Sequence, residues 1–174
     1  MEKKQAKVLV VAGPESSGKS TLAQALARHL GGHYVPELAR DFMEGKALPL
    51  SWQELETLYR KQVEAWQASL EFAGWVVWDT DGFNGMLWAK LAYGKRLDFL
   101  EEFWSLEPWD LALICSPDLP WEADPLREGP DGRWERMDYY TACYQATRKP
   151  FALVSGEGEP RFDMALKGID DCLE

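Results

Sequence analysis

The residues best equipped to do chemistry stand in one run, Gly13-Pro14-Glu15-Ser16-Ser17-Gly18-Lys19-Ser20. Gly13 and Gly18 permit backbone angles that turn successive N–H groups inward, and a helix opening just after them adds its partial positive charge. That arrangement cradles phosphates: Lys19 reaches the β- and γ-phosphates, and the Ser20 hydroxyl ligates Mg²⁺. The pattern carries this meaning only between an apolar strand and a helix, and Val8 to Ala12 on one side and Leu22, Leu26 and Leu30 on the other supply both. An Asn-Lys-x-Asp element that would read guanine is absent, since the one asparagine, Asn84, is followed by Gly85. ATP and Mg²⁺ are the expected cofactors, gripped through Gly13, Glu15, Ser16, Ser17, Gly18, Lys19, Ser20 and Thr21.

Carboxylates at strand ends come next, because ligands of an open parallel sheet lie off the carboxyl ends of its strands. Trp75-Val76-Val77-Trp78 closes on Asp79, a form that hands an acid to the Mg²⁺ shell, and Asp81 follows beside the same crevice. Either acid also suits the cap of a helix beginning near Gly82. Glu37, Arg40 and Asp41 follow the apolar pair Tyr34-Val35, where substrate contact competes with a solvated ion pair. Glu37, Asp79 or Asp81 is expected to orient the attacking hydroxyl, and the sequence does not rank them. Arg127, Arg133 and Arg136 fall in a stretch dense in Pro, Gly and charge, and are candidates to neutralise a migrating phosphoryl group.

These residues need a scaffold. Five short apolar runs, Val8 to Ala12, Tyr34-Val35, Trp75 to Trp78, Leu111 to Cys115 and Phe151 to Val154, alternate with helical stretches. The expected fold is α/β, a P-loop NTPase with a five-stranded parallel sheet and helices on both faces. A capping box at Ser51 and Glu54 opens one helix, and another is expected after Pro160. Residues 116–136 are too long for a casual connection and read as a lid on a single kinase domain spanning 1–174.

Composition narrows the partners. A formal net charge of −10, from 29 acidic and 19 basic residues, argues against a broad basic face for nucleic acid or anionic lipid, so a polyanion must be held locally. The partner is expected to be a small molecule. Three dispersed cysteines, Cys115, Cys143 and Cys172, read as reduced thiols, and no run approaches a membrane span or a signal-peptide core, so a cytoplasmic location is expected. Oligomeric state is not legible. Nine tryptophans are more than packing needs, which leaves some for stacking on a ligand.

With Pro36-Glu37-Leu38-Ala39-Arg40-Asp41, Asp79-Thr80-Asp81, Ser116-Pro117-Asp118-Leu119-Pro120-Trp121 and Leu153-Val154-Ser155-Gly156 added to the glycine loop, the chain resembles the ribosylnicotinamide kinase domain of the NadR-type bacterial NAD-salvage proteins. The resemblance runs along nearly the whole chain. It implies transfer of the γ-phosphate of ATP to the 5′-hydroxyl of nicotinamide riboside, giving nicotinamide mononucleotide. It also implies catalytic roles for Lys19, Glu37, Asp79, Asp81, Arg127 and Arg133, substrate contacts from Glu37, Arg40, Asp81, Trp121 and Asp124, Mg²⁺ at Ser20 and Asp79, and cofactor contacts from Ser155 and Gly156. Trp121 would stack on the flat nicotinamide cation or hinge the lid; in the latter case Trp88 or Trp104 would meet the base. Where the family usually shows two acids and a glycine before arginine, this chain reads Glu122-Ala123-Asp124-Pro125-Leu126-Arg127. No adenylyltransferase half is seen, so a stand-alone kinase is expected. Kinases for other nucleosides or nucleotides, or an ATP-binding regulatory module, are the alternatives.

Overall fold

Strand β1 (Ala6–Ala12) is buried from Val8 onward, as befits a central parallel strand covered on both faces. The computed structural model describes residues 6–124, 129 and 131–173. After β1 come α1 (Lys19–His29), β2 (His33–Val35), α2 (Ala39–Met43), α3 (Trp52–Ser69), β3 (Gly74–Asp79), α4 (Gly82–Tyr93), α5 (Asp98–Ser105), β4 (Leu111–Cys115), α6 (Arg133–Gln145), β5 (Phe151–Val154) and α7 (Gly158–Leu173). The sheet has five strands in the order β2-β3-β1-β4-β5, and every pairing is parallel. Each apolar run read from the sequence is a strand. Asp79 is the last residue of β3 rather than the first beyond it.

The pleat divides the core. Val8, Val10 and Ala12 face one cluster with residues of α3, α5 and α6, whereas Leu9 and Val11 face the other with α1 and α7. Trp66, Trp78, Trp104 and Trp109 fill the first cluster, Trp104 stacking on Trp109 with ring centroids 4.4 Å apart. Much of the tryptophan surplus is therefore packing. The Trp78 indole satisfies its N–H on the Ser69 hydroxyl at 2.9 Å, so burying it leaves no polar debt.

Three local features position the crevice. Gly13 has φ 132°, and a Cβ on it would come 2.5 Å from the Cys115 carbonyl oxygen, so only glycine lets the loop leave β1 beside the end of β4. The capping box at Ser51 forms as expected and fixes the start of α3. Helix α7 starts at Gly158, ahead of the expected position, with Pro160 inside its first turn where a missing N–H costs nothing. Among the described residues, 116–132 contain no helix or strand, and Arg133 opens α6. No helix among them is long and apolar enough to cross a membrane.

Candidate active site

The glycine loop connects β1 to α1 as the pattern requires, with Gly18 left-handed at φ 74° as the N-cap. Lys19 Nζ donates to the Pro14 carbonyl at 2.9 Å and Ser17 Oγ to the same oxygen at 2.7 Å, so the loop closes on itself. Ser20 and Thr21 are exposed at the mouth of the crevice, where Glu15, Ser16, Gly18 and Lys19 also line it. Leu119 packs against the loop closely enough that a Cβ on Gly18 would lie 2.8 Å from it.

The three candidate acids are held differently. Asp79 is 1% exposed; its Oδ2 accepts from the Tyr34 hydroxyl at 2.8 Å and its Oδ1 has no hydrogen-bond partner among the described residues. A buried carboxylate oxygen left unmatched is costly, and a hydrated cation beside it would relieve the cost, so Asp79 with Ser20 fits Mg²⁺. No cluster of three or more His, Cys, Asp or Glu among the described residues could hold a metal by itself. Such a cation would take most of its ligands from phosphate and water, which is how Mg²⁺ prefers to bind. Asp81, also 1% exposed, caps α4: its Oδ1 accepts from Asn84 N at 2.8 Å and its Oδ2 from the Tyr144 hydroxyl at 2.9 Å. Burial pushes its carboxyl up to about 6, against the pull of those bonds and of Lys19.

Glu37 is half-buried and lines the crevice. Burial raises its carboxyl, Lys19 draws it down and Asp79 pushes it up, so all three groups share one electrostatic neighbourhood. Gln62 of α3 fixes the chain on either side of it. Its Oε1 accepts from Leu38 N at 2.9 Å and its Nε2 donates to the Pro36 carbonyl at 3.2 Å. Neither Gln62 nor the set formed by Asn84, Tyr59 and Tyr140 stood out in the sequence. The Tyr140 hydroxyl donates to Asn84 Oδ1 at 2.9 Å, and Asn84 Nδ2 donates to the Tyr59 hydroxyl at 3.4 Å. Residues so far apart in the chain leave no spacing signal.

The stretch after β4 folds over the loop. Glu122 N donates to Ser16 Oγ at 3.2 Å, and Arg133 Nη1 donates to the Ser16 and Leu119 carbonyls at 3.3 and 3.2 Å. Trp121 lies against Arg133, with the guanidinium carbon 5.6 Å from a ring centroid. Arg40 and Asp124 pair with each other at 2.6 Å. Arg136 donates to the Asp131 carbonyl at 3.3 Å, and Arg127 lies outside the described residues. Beyond the loop, Gly156 N donates to Asp118 Oδ2 at 2.6 Å and Ser155 N to Met164 Sδ at 3.2 Å. Burial would raise the Asp118 carboxyl, but the Gly156 N–H and the Arg161 guanidinium hold it low. Arg161, another residue without a sequence signal, is 5% exposed and reaches the glycine loop from α7.

A cavity of about 830 Å³ is lined by the glycine loop, Glu37, Arg40 and Arg161, whereas Asp79, Asp81, Trp121, Asp124, Arg133, Ser155 and Gly156 are not among its lining residues. Its lining also includes Glu157, Gly158 and Phe162, Leu48 to Leu50, and Tyr59, Trp88 and Tyr93. Trp104 is 2% exposed in the core, which removes it as a residue to meet a base, whereas Trp88 lines the cavity.

A family model described as AAA domain matches residues 8–161. The trifunctional NAD biosynthesis/regulator protein NadR of Escherichia coli (strain K12) is 25% identical over 126 residues, covering 70% of this chain and 31% of that protein. The chain thus spans about a third of the length of that curated relative. Among solved structures, a NadR protein in complex with NR superposes with a TM-score of 0.79 at 22% identity, over 96% of this chain and 50% of that one. Deoxyadenosine kinase from M. mycoides superposes with a TM-score of 0.68 at 11% identity, over 94% of this chain and 99% of that one. The fold is that of P-loop kinases, and the relatives include the NadR type that the sequence motifs resemble.

Proposed function

This chain belongs to the AAA domain family, and from that premise we propose that it transfers the γ-phosphate of ATP to the 5′-hydroxyl of nicotinamide riboside. The observation that carries the reading is one crevice lined together by the glycine loop, Glu37 and the aromatic residues Tyr59, Trp88 and Tyr93. Those are the parts a kinase needs in one place: a phosphate cradle, a proton acceptor and a face for the acceptor base. The motif resemblance and the similarity to NadR proteins support nicotinamide riboside as the acceptor.

Phosphoryl transfer is won by positioning and by charge. Lys19 neutralises the β- and γ-phosphates, and Arg133, anchored on Ser16 and backed by the Trp121 face, adds positive charge from the lid side. Ser20 and Asp79 would hold Mg²⁺, which supplies charge neutralisation on the phosphates when bound. Oxygen O5′ bonds to the γ-phosphorus as the bond to the β,γ-bridging oxygen breaks, ADP leaves, and the hydroxyl proton passes to Glu37. Glu37 suits this better than Asp81, because Asp81 spends both oxygens on Asn84 and Tyr144 while Glu37 borders the crevice with a raised carboxyl. Trp88 and Tyr93 offer flat faces to the nicotinamide cation.

A second reading, a kinase for another nucleoside, draws on the superposition with deoxyadenosine kinase over 94% of this chain. ADP release measured with ATP and a panel of nucleosides separates the two. Release that rises with nicotinamide riboside above all others supports the first reading. A preference for a deoxynucleoside rejects it.

A further inference from the structure

Arg161 has no role in that transfer as described, yet it lines the crevice and three separate stretches of chain converge on it. Its Nη2 donates to the Ser17 carbonyl of the glycine loop and, at 3.1 Å, to the Ser116 carbonyl just past β4. Its Nη1 donates to the Gly156 carbonyl at 2.8 Å and to Asp118 Oδ1 at 2.9 Å, while Asp118 Oδ2 accepts from Gly156 N at 2.6 Å. None of these partners lies on α7 itself. A guanidinium that merely pinned α7 to the sheet would be an expensive choice, since burying a charge demands that its protons be matched, and an apolar side chain packs a helix as well. The fork instead spends both Nη groups on the loops around the crevice, while its buried Nε makes no hydrogen bond among the described residues. The Ser17 carbonyl shares a peptide plane with the Gly18 N–H and points opposite to it. Holding the carbonyl on Arg161 therefore leaves that N–H for a phosphate.

We propose that Arg161 with Asp118 is the positioning pair of the nucleotide site, setting the glycine loop, the loop after β5 and the root of the lid segment in one fixed relation. The two loops would meet opposite ends of ATP, the phosphates and the base, so their separation must match the nucleotide. A planar fork with fixed angles can set such a separation, and a lysine ammonium cannot. The inference rests on the crevice being an ATP site and is independent of which acceptor is phosphorylated.

The test measures ATP binding by calorimetry on the full chain, without acceptor, for wild type, Arg161→Lys and Asp118→Asn, alongside the melting temperature of each unliganded protein. Each substitution should weaken ATP by at least ~10-fold, the scale of a lost charge-assisted hydrogen bond, and the double variant should be no worse than the weaker single one. ATP affinity within about twofold of wild type in Asp118→Asn overturns the proposal, and that variant stays readable if Arg161→Lys does not fold. A fallen melting temperature with unchanged ATP affinity assigns the pair to the fold and overturns it as well.

Discussion

Two acids, Glu37 and Asp81, both feel the charge of Lys19 and differ in what surrounds them. Glu37 borders the crevice and is raised by burial, so Glu37→Gln keeps size, removes the proposed proton acceptor and should lower kcat by ~100-fold or more with the ATP KM little changed. Steady-state kinetics check this, and a loss below about tenfold would move the role elsewhere. Asp81 is a buried cap whose folded value, about 6, stands above its unfolded value of 3.8. The folded state therefore holds this proton more tightly than the unfolded state, and stability is lost as pH rises from about 4 through 6. Asn caps helices as well as Asp, so Asp81→Asn should remove the loss. In urea titrations of the unliganded protein, the variant's advantage over wild type should grow across that window towards an upper bound of ~3 kcal/mol. A constant difference across pH would show that Asp81 does not titrate there. Both acids were visible in the sequence from their places at strand ends. Their ranking was not, because it turns on Tyr144, 63 positions from Asp81, and on the burial that α4 and α6 create together.

Elements hold those side chains, and some of their work was legible locally. The Ser51–Glu54 cap and the apolar runs of the five strands follow from short-range patterns and appear in the structure as read. The start of α7 was misplaced because Pro160 marks any position in a helix's first turn. The link from α3 to the segment before α2 had no local sign, since a glutamine on a helix usually faces solvent. Gln62→Leu strands the Leu38 N–H and the Pro36 carbonyl, each worth about 1–3 kcal/mol when buried, and frees the backbone beside Glu37. The expected result is a fall in kcat of about tenfold with ATP binding retained, because the glycine loop is untouched. Loss of ATP binding would contradict it. Past β4, Trp121→Ala withdraws the ring under Arg133, so kcat should fall several-fold, within the ~0.5–2 kcal/mol of a cation–π contact. A rise in the riboside KM alone would instead assign Trp121 to the base.

For the whole molecule, the parallel sheet brings the ends of β1, β3 and β4 to one edge, and the glycine loop leaves from there. Alternating apolar runs made that architecture readable, whereas the aromatic core was only half readable: tryptophan counts do not say which rings are packed and which face a ligand. Trp104 and Trp109 stack in the core, while Trp88 lines the crevice. With a net charge of −10, the surface offers a polyanion little general attraction, so under the proposed function ATP is drawn locally, by the loop, Lys19 and Arg133. The most direct measurement incubates the chain with Mg²⁺, nicotinamide riboside and ATP labelled in the γ-phosphate, then separates the products. The label should appear in nicotinamide mononucleotide, in an amount equal to the ADP formed. Label recovered only as inorganic phosphate, or retained in ATP while the riboside stays unchanged, would contradict the assignment.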